Sequence, residues 1–402
     1  MHNMSYLTAA KDLSEELCRL RHELHAEPEV GLYLPRTQEK VLAALDGLPL
    51  EISTGAALTS VTAVLRGGRP GPAVLLRGDM DALPVSERND LPYRSRVPGA
   101  MHACGHDLHV AMLAGAAHLL AARREELAGD VVFMFQPGEE GHEGAKHMIA
   151  EGVLDAAGER VVAAYALHAM ATILPLGAFA SRAGSILAAA DTLRVTVRGR
   201  GGHGSSPHLA LDPIPAACEM VTALQTMVTR SFDAFDPVVV TVGTFHAGTA
   251  DNVIPDEAVF EVTIRTFSAG NRASVRERAV RLVEGIAAAH GLEAETAFGI
   301  GYPLTVNDAA EAAFAGETAE DLFGTGRYFV APRPIAGSED FSYVLEEVPG
   351  AFVALGACPP DLNPATAAYN HSPEARFDDA AIPDGAALLA ALAARRLAQA
   401  AT

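Results

Sequence analysis

Nine consecutive residues, MHACGHDLH at 101–109, bring three histidines, a cysteine and an aspartate into one short stretch. Cys104 and His106 stand two apart, so a locally extended backbone sends both side chains the same way. A thiolate and an imidazole placed together can share one metal ion. Gly105, between them, gives the backbone access to conformations closed to other residues. A histidine-rich surface loop ahead of a helix would have the same composition, so the reading rests on what the rest of the chain brings to this stretch.

The elements that must position these residues are legible on either side. Residues 11–26 and 35–46 carry helical apolar spacing, broken by HAEPEVG. VTAVLRG (61–67) and AVLLRGDMD (73–81) read as neighbouring strands, the second ending in Asp79 and Asp81. Residues 107–127 predict a long alanine-rich helix, and VVFMFQ (131–136) a buried strand that runs into PGEEG. A short helix near 144–151 precedes a strand, VVAAYALH (161–168), ending on His168. Strands alternating with helices predict an α/β fold, a mainly parallel mixed sheet covered on both faces. Ligands bind such sheets beyond the carboxyl ends of the strands. Asp79, Asp81, Glu139, Glu140 and His168 all fall at predicted strand ends.

From about residue 185 the order becomes strand, helix, strand, strand, helix, strand, which is the split βαβ plan of a ferredoxin-like α+β domain. The expectation is a catalytic domain over 1–184 and 299–402 with an inserted domain over 185–298. GRGGHG (199–204) matches a dinucleotide-binding pattern, but SSPH and prolines 207, 213 and 215 follow, so no helix opens on the glycines. The segment reads as a glycine-rich hairpin or loop presenting His203 and His208. The alanine-rich end, AALLAALAARRLAQA, reads as an ordinary amphipathic helix.

Mixed thiolate, imidazole and carboxylate donors suit Zn²⁺, Mn²⁺, Ni²⁺ or Co²⁺ rather than Ca²⁺ or Mg²⁺. Cys104, His106, one of Glu139 and Glu140, His168 and a later histidine exceed what one tetrahedral ion needs, which predicts two divalent metal ions. On an extended segment the two glutamates point apart, leaving one as ligand and the other as general base.

A net charge of −20 argues against nucleic-acid or anionic-membrane partners. No stretch reaches the ~20 apolar residues of a membrane span, and the amino terminus lacks the apolar core of a signal peptide. Cysteines 18, 104, 218 and 358 are too scattered for a disulfide framework, which makes a reducing cytoplasm the expected location. Cys18, Cys218 and Cys358 read as small buried hydrophobes. His22 and His25 read as packing or capping residues, and His102 and His109 flank the ligands without being assigned to them.

The chain resembles peptidase family M20, and within it the amidohydrolase branch that includes hippurate hydrolases, N-acyl-amino-acid amidohydrolases and auxin-conjugate hydrolases. The resemblance runs through RHELHAEPEVG (21–31), RGDMDALP (77–84), MHACGHDLH, FQPGEEG (135–141), ALH (166–168), GRGGHGSSPH (199–208), DPI (212–214), NVIPD (252–256), IRT (264–266), GSEDFSY (337–343) and HSPE (371–374). It implies Cys104 as a ligand bridging two metals, His106 and His168 completing one, and Glu140 and His371 the other. It further implies Glu139 as catalytic base and Asp81 as a carboxylate orienting a ligand histidine. Asp79 stands where other branches carry a ligand histidine, so it is not expected to touch a metal. The inserted domain would form a homodimer or a dimer of dimers, with His203 reaching the partner's active site as oxyanion donor. Asn252 and Arg265 would hold the substrate, and Gly337 and Ser338 would line its pocket.

The resemblance thus implies metal-dependent hydrolysis of the amide bond of small N-acyl amino acids, hippurate-like or N-acetylated, with a metallopeptidase acting on dipeptide-like substrates as the alternative. A cysteine hydrolase using Cys104 as nucleophile would leave the glutamate pair, His168 and His371 without a role. A non-catalytic binding protein on the same fold would not need all these positions filled.

Overall fold

An eight-stranded mixed sheet is the spine of the first of two units in the computed structural model, which describes residues 2–400. That unit gathers residues 2–186, 306–333 and 340–400, and the second comprises 187–305 with 334–339. The first five strands are β1 (Leu50–Thr54), β2 (Val61–Leu65), β3 (Arg69–Asp79), β4 (Ala128–Gln136) and β5 (Ala163–Pro175). The sheet order is β1, β2, β4, β3, β5, then strands Gly350–Cys358, Phe179–Ser181 and Tyr328–Val330. β3, β4, β5 and Gly350–Cys358 run parallel to their neighbours in this central set. The expected adjacency of β2 and β3 does not occur. β4 lies between them, antiparallel to β2 and parallel to β3. A crossover helix carries the chain from β3 to β4, and β4, apolar on both faces, takes the fully buried place in the sheet.

The helices preceding and following β3 are α1 (His2–Asp12), α2 (Ser14–Ala26), α3 (Pro35–Ala44), α4 (His106–Ala121) and α5 (Gly144–Ala150). Proline opens α3, where a missing N–H costs nothing. α4 is buried along nearly its whole length, against β3, α2 and the carboxy-terminal helix Ala381–Ala400. The approach is close enough that a Cβ on Gly115 would stand 2.7 Å from Leu17 and 2.8 Å from Ala386. The carboxy-terminal helix is therefore not amphipathic in use: Ala386 to Ala393 are fully buried. Alanine there keeps the helix surface flat enough for α4 and the sheet to pack on several sides at once. On the sheet's opposite face Val132 and Met134 are also buried, with α5 packed on β4.

The second unit is a four-stranded antiparallel sheet in the order Val238–Ala247, Glu257–Thr266, Ala189–Arg198, Glu293–Ile300. Helices Pro213–Ser231 and Ala269–Ala289 share its core. Asp212 and Ser268 cap these helices by accepting from the amides of Ile214 and Asn271. Alternation decides the faces: Leu193, Val195 and Val197 are buried under the helices, while Arg194 pairs with Glu261 and Arg198 with Glu257 and Glu295 on the outer face. In the GRGGHG segment, Gly202–His203 forms a short strand paired with Val253–Ile254, and no helix opens on the glycines.

Among the described residues no helix is long and apolar enough to cross a membrane. Cys358 is buried, but Cys18 is partly exposed and Cys218 is exposed, so neither of the latter two is the core residue expected. Both lie on helices with a solvent side.

Candidate metal centre

Gly105 takes φ 84° and caps α4, so the backbone turns through a left-handed residue between Cys104 and His106. The extended geometry expected there is absent; the turn brings the two side chains together. Glycine is suited to that conformation because it has no Cβ to clash. His168 does not end its strand, since β5 continues to Pro175. Parallel pairing of Arg77 with Ala166 nonetheless places His168 level with Asp79, at the carboxyl end of β3.

Side chains distant in sequence converge here. Ligand atoms of Cys104, His106 and His168 lie within 4.8 Å of one another, and so do those of Cys104, Glu140 and His371. Cys104 belongs to both triads. Glu139 and Glu140 follow β4 in a turn rather than an extended segment, and both come within 4.8 Å of His106. The amides of Glu139 and Glu140 each donate to Asp81, at 3.0 Å, which sets that turn. The same Asp81 carboxylate lies 3.5 Å from His106 Nδ1.

The donor set fits a cation. Among the described residues, neither buried ring nitrogen of His106 has a hydrogen-bond partner, and neither does Oε1 of Glu140. That oxygen approaches His371 Nε2 to 3.2 Å as an ion pair, without hydrogen-bond geometry. Unpaired buried polar atoms cost free energy that a bound ion would recover. His168 Nδ1 lies 3.0 Å from the carbonyl of Ala169, which can only accept, so the proton sits on Nδ1. Nε2 is left as a lone pair, 3.4 Å from Cys104 Sγ. Burial, then His109, holds His168 well below the usual imidazole range, in the neutral form that binds metals. Cys104 and Glu140 beside His371 hold its pKa up at about 10, so a proton occupies the place a cation could take. His371 itself adopts φ 74°, which for a non-glycine residue costs about 1–3 kcal/mol.

Asp79 does not face this space alone. Arg77 Nη1 donates to its Oδ2 at 2.5 Å and His109 Nδ1 meets its Oδ1 at 2.5 Å. Burial opposes ionisation, but Arg77, His106 and His109 outweigh it and hold Asp79 well below the carboxylate range. Arg77 also reaches Gln136 and Asp340, and the Gln136 amide donates to both Asp340 oxygens at 2.8 Å. This fully buried network escaped the sequence reading, although a charged Arg77 inside an apolar strand was its signal. His102 is buried with neither ring nitrogen hydrogen-bonded among the described residues, and burial pushes its pKa down to about 4.

Behind these converging side chains, His25 does more than pack. Its Nδ1 lies 2.8 Å from Asp107 and its Nε2 3.2 Å from Glu87, while Arg21 Nε donates to Asp107 at 3.0 Å. His22 pairs with Asp379 and stacks on Tyr93. Burial works against charging His25, but Asp107 and Glu87 outweigh it and raise its pKa from 6.5 to about 9. The charged ring therefore stabilises the fold fully below pH 6.5, and that contribution is lost as pH rises from 6.5 through 9. The interval corresponds to about 3 kcal/mol at most. The melting temperature is expected to fall across this window, and His25→Gln to flatten the fall while lowering stability at pH 6. An equal slope in the variant would assign the pH dependence to other groups.

The remaining candidates lie on the second unit. His203 is exposed, and its Nδ1 accepts from the Ser205 amide at 3.1 Å, which leaves Nε2 as the protonated donor. Asn252 stands beside it: its carbonyl accepts from the Gly204 amide at 2.8 Å, and Val253 pairs with His203. Arg265 is half-buried on strand Glu257–Thr266, and no carboxylate bonds to it among the described residues. Burial lowers its pKa, as expected of a guanidinium without a paired anion. Gly337 is exposed and Ser338 partly so, both in the segment 334–339.

The family model for peptidase family M20/M25/M40 matches residues 75–395. N-acetylcysteine deacetylase of Bacillus subtilis is 38% identical over 349 residues, covering 87% of this chain and 90% of that protein. IAA-amino acid hydrolase ILR1-like 5 of Arabidopsis thaliana is 36% identical over 399 residues, covering 98% and 90% respectively. The crystal structure of Bacillus subtilis YxeP, a dinuclear metal-binding peptidase from the M20 family, superimposes with a TM-score of 0.83 at 34% identity, covering 96% of this chain and 99% of that one. By family match, relatives and fold, the chain belongs to peptidase family M20, in its amidohydrolase branch, and is a hydrolase of amide bonds.

Proposed function

We propose that the protein hydrolyses the amide bond of N-acyl amino acids, using two divalent metal ions held by Cys104, His106, Glu140, His168 and His371. The observation that carries this reading is the membership of Cys104 in both ligand triads, the arrangement a shared thiolate requires. The relatives named for removing an acetyl group from N-acetylcysteine and for hydrolysing IAA-amino acids support the substrate class. Cys104, His106 and His168 would hold one ion, and Cys104, Glu140 and His371 the other; thiolate and imidazole donors suit Zn²⁺, Mn²⁺, Ni²⁺ or Co²⁺.

Such a pair supplies Lewis acidity and lowers the pKa of water toward neutrality. Glu139, beside Glu140 in the turn set by Asp81, takes the proton of the attacking water and passes it to the leaving amine. Asp81 orients His106 as well as the glutamate turn. Arg265 offers a planar fork to the substrate carboxylate, with Asn252 as a second polar contact and Gly337 and Ser338 lining the substrate's place. The Nε2–H of His203 stabilises the developing oxyanion. The second unit, read as the inserted lid and dimerisation domain, would carry His203 into the site of a partner chain in a homodimer or dimer of dimers.

The test is a panel of N-acetyl, N-benzoyl and N-indoleacetyl amino acids beside dipeptides, assayed before and after chelation. N-acyl amino acids are expected to be cleaved, the activity to vanish on chelation and to return with Mn²⁺ or Zn²⁺. Faster cleavage of dipeptides would favour the metallopeptidase reading instead. Activity that survived chelation but not thiol alkylation would make Cys104 a nucleophile and overturn the metal mechanism.

A further inference from the structure

Neither spacing nor motif singles out Asn370, which is buried beside Cys104. Its Oδ1 accepts from the Ala171 amide at 3.0 Å. Its Nδ2 donates to the Ala169 carbonyl at 3.0 Å and to the Cys104 carbonyl at 3.3 Å, and lies 3.8 Å from Cys104 Sγ. The partners fix which way the amide faces, because a flipped group would set oxygen against two carbonyls and NH₂ against an N–H. Ala169, next to His168, is held from its other side as well, its amide donating to His109 Nε2 at 2.7 Å. The residue after Asn370 is His371, whose left-handed backbone is tied by its own amide to the carbonyl of Ala103 at 2.8 Å.

One side chain thus touches or adjoins Cys104, the neighbour of His168, and His371, joining segments in which His168 and Asn370 lie 64 and 266 residues from Cys104. We propose that Asn370 is a positioning residue that sets the thiolate of Cys104 against His168 and His371, and tempers that thiolate by an N–H···S contact. This rests on the reading of these three residues as metal ligands. Groups that orient ligands typically change metal affinity by ~10–100-fold when removed. Without the clamp, His371 is free to leave its left-handed conformation. The ion shared by Cys104, Glu140 and His371 then becomes the weaker of the two.

The experiment compares wild-type protein with Asn370→Leu, which has a similar shape and no polar atoms, and Asn370→Asp, which keeps the acceptor for Ala171 but not the donors. Metal affinity is measured by competition with a chelator, metal content after dialysis is counted, and the cobalt-substituted proteins are examined for the thiolate-to-cobalt charge-transfer band. Apoprotein melting temperature is recorded in parallel. Both variants are expected to bind one ion ~10–100-fold more weakly, to retain about one ion where wild type retains two, and to shift the cobalt band as the N–H···S contact is lost. A variant with a lowered apoprotein melting temperature but wild-type affinity and band would show a purely structural role and overturn the proposal. Unchanged affinity, content and band in either folded variant would overturn it equally. Wild-type protein that bound no metal would fail the ligand reading itself, an outcome distinct from either.

Discussion

Replacement of Glu139 by alanine is expected to reduce turnover by at least ~10²–10⁴-fold, the usual worth of a general base, with metal content unchanged. The geometry separates the two readouts. Glu139 is buried, and its backbone N–H donates a hydrogen bond to the Asp81 carboxylate that the substitution leaves in place. Glu139 comes within 4.8 Å of His106 and Glu140, but the two triads proposed to hold the ions, Cys104 with His106 and His168 and Cys104 with Glu140 and His371, do not include it. Glu139→Gln should behave in the same way, because it keeps the shape and loses the base. Metal analysis beside steady-state kinetics checks both. Near-native hydrolysis in either variant would remove Glu139 from the mechanism, while loss of an ion would recast it as a ligand.

The second large effect concerns His203. Its Nδ1 accepts from Ser205, so Nε2–H is available as a donor without any change of tautomer. Removal of an oxyanion donor costs ~10²–10³ in kcat, and His203→Ala is expected to show that loss with metal content intact. Whether the donor acts across a dimer is open to a direct test by mixing. Glu139→Ala and His203→Ala chains, each nearly inactive, would form heterodimers in which one site has both an intact Glu139 and an intact partner His203. Equal mixing and random pairing give about a quarter of wild-type activity. No recovery on mixing, in chains shown to exchange, would place His203 in the site of its own chain. An unchanged kcat in His203→Ala would remove its role altogether.

Much of this molecule is legible in its sequence. Apolar runs such as Val131–Phe135 and the alternation of Leu193, Val195 and Val197 specify buried strands through local periodicity alone. Ligand types were legible for a similar reason: a cysteine, a histidine and a glutamate pair at ends of apolar runs are costly in a core and rare without a use. The family resemblance then named His371, Asp81, His203, Asn252 and Arg265, which spacing alone could not single out. Local errors arose where a turn replaced an extended segment. Gly105 and the turn at Glu139–Glu140 change side-chain direction in ways that residue spacing cannot report.

What only the tertiary structure decided is the set of contacts between segments far apart in the chain. Sheet order placed β4 between β2 and β3, which strand patterning leaves undetermined because any apolar strand can fill a central position. The carboxy-terminal helix carried a one-sided pattern but is enclosed by α4 and the sheet, because alanine is small enough to be buried on any face. Arg77, Asp340 and Asn370 acquire their chemistry from partners 263, 204 and 266 residues distant. The sequence by itself determined which residues could bind a metal. Packing of α4 on β3, and hydrogen bonds from the loop before the last helix to Ala103, Cys104 and strand β5, determined that Cys104, His106, Glu140, His168 and His371 meet, because such contacts join segments far apart in the chain and bury His106 and Glu140 Oε1 without hydrogen-bond partners among the described residues.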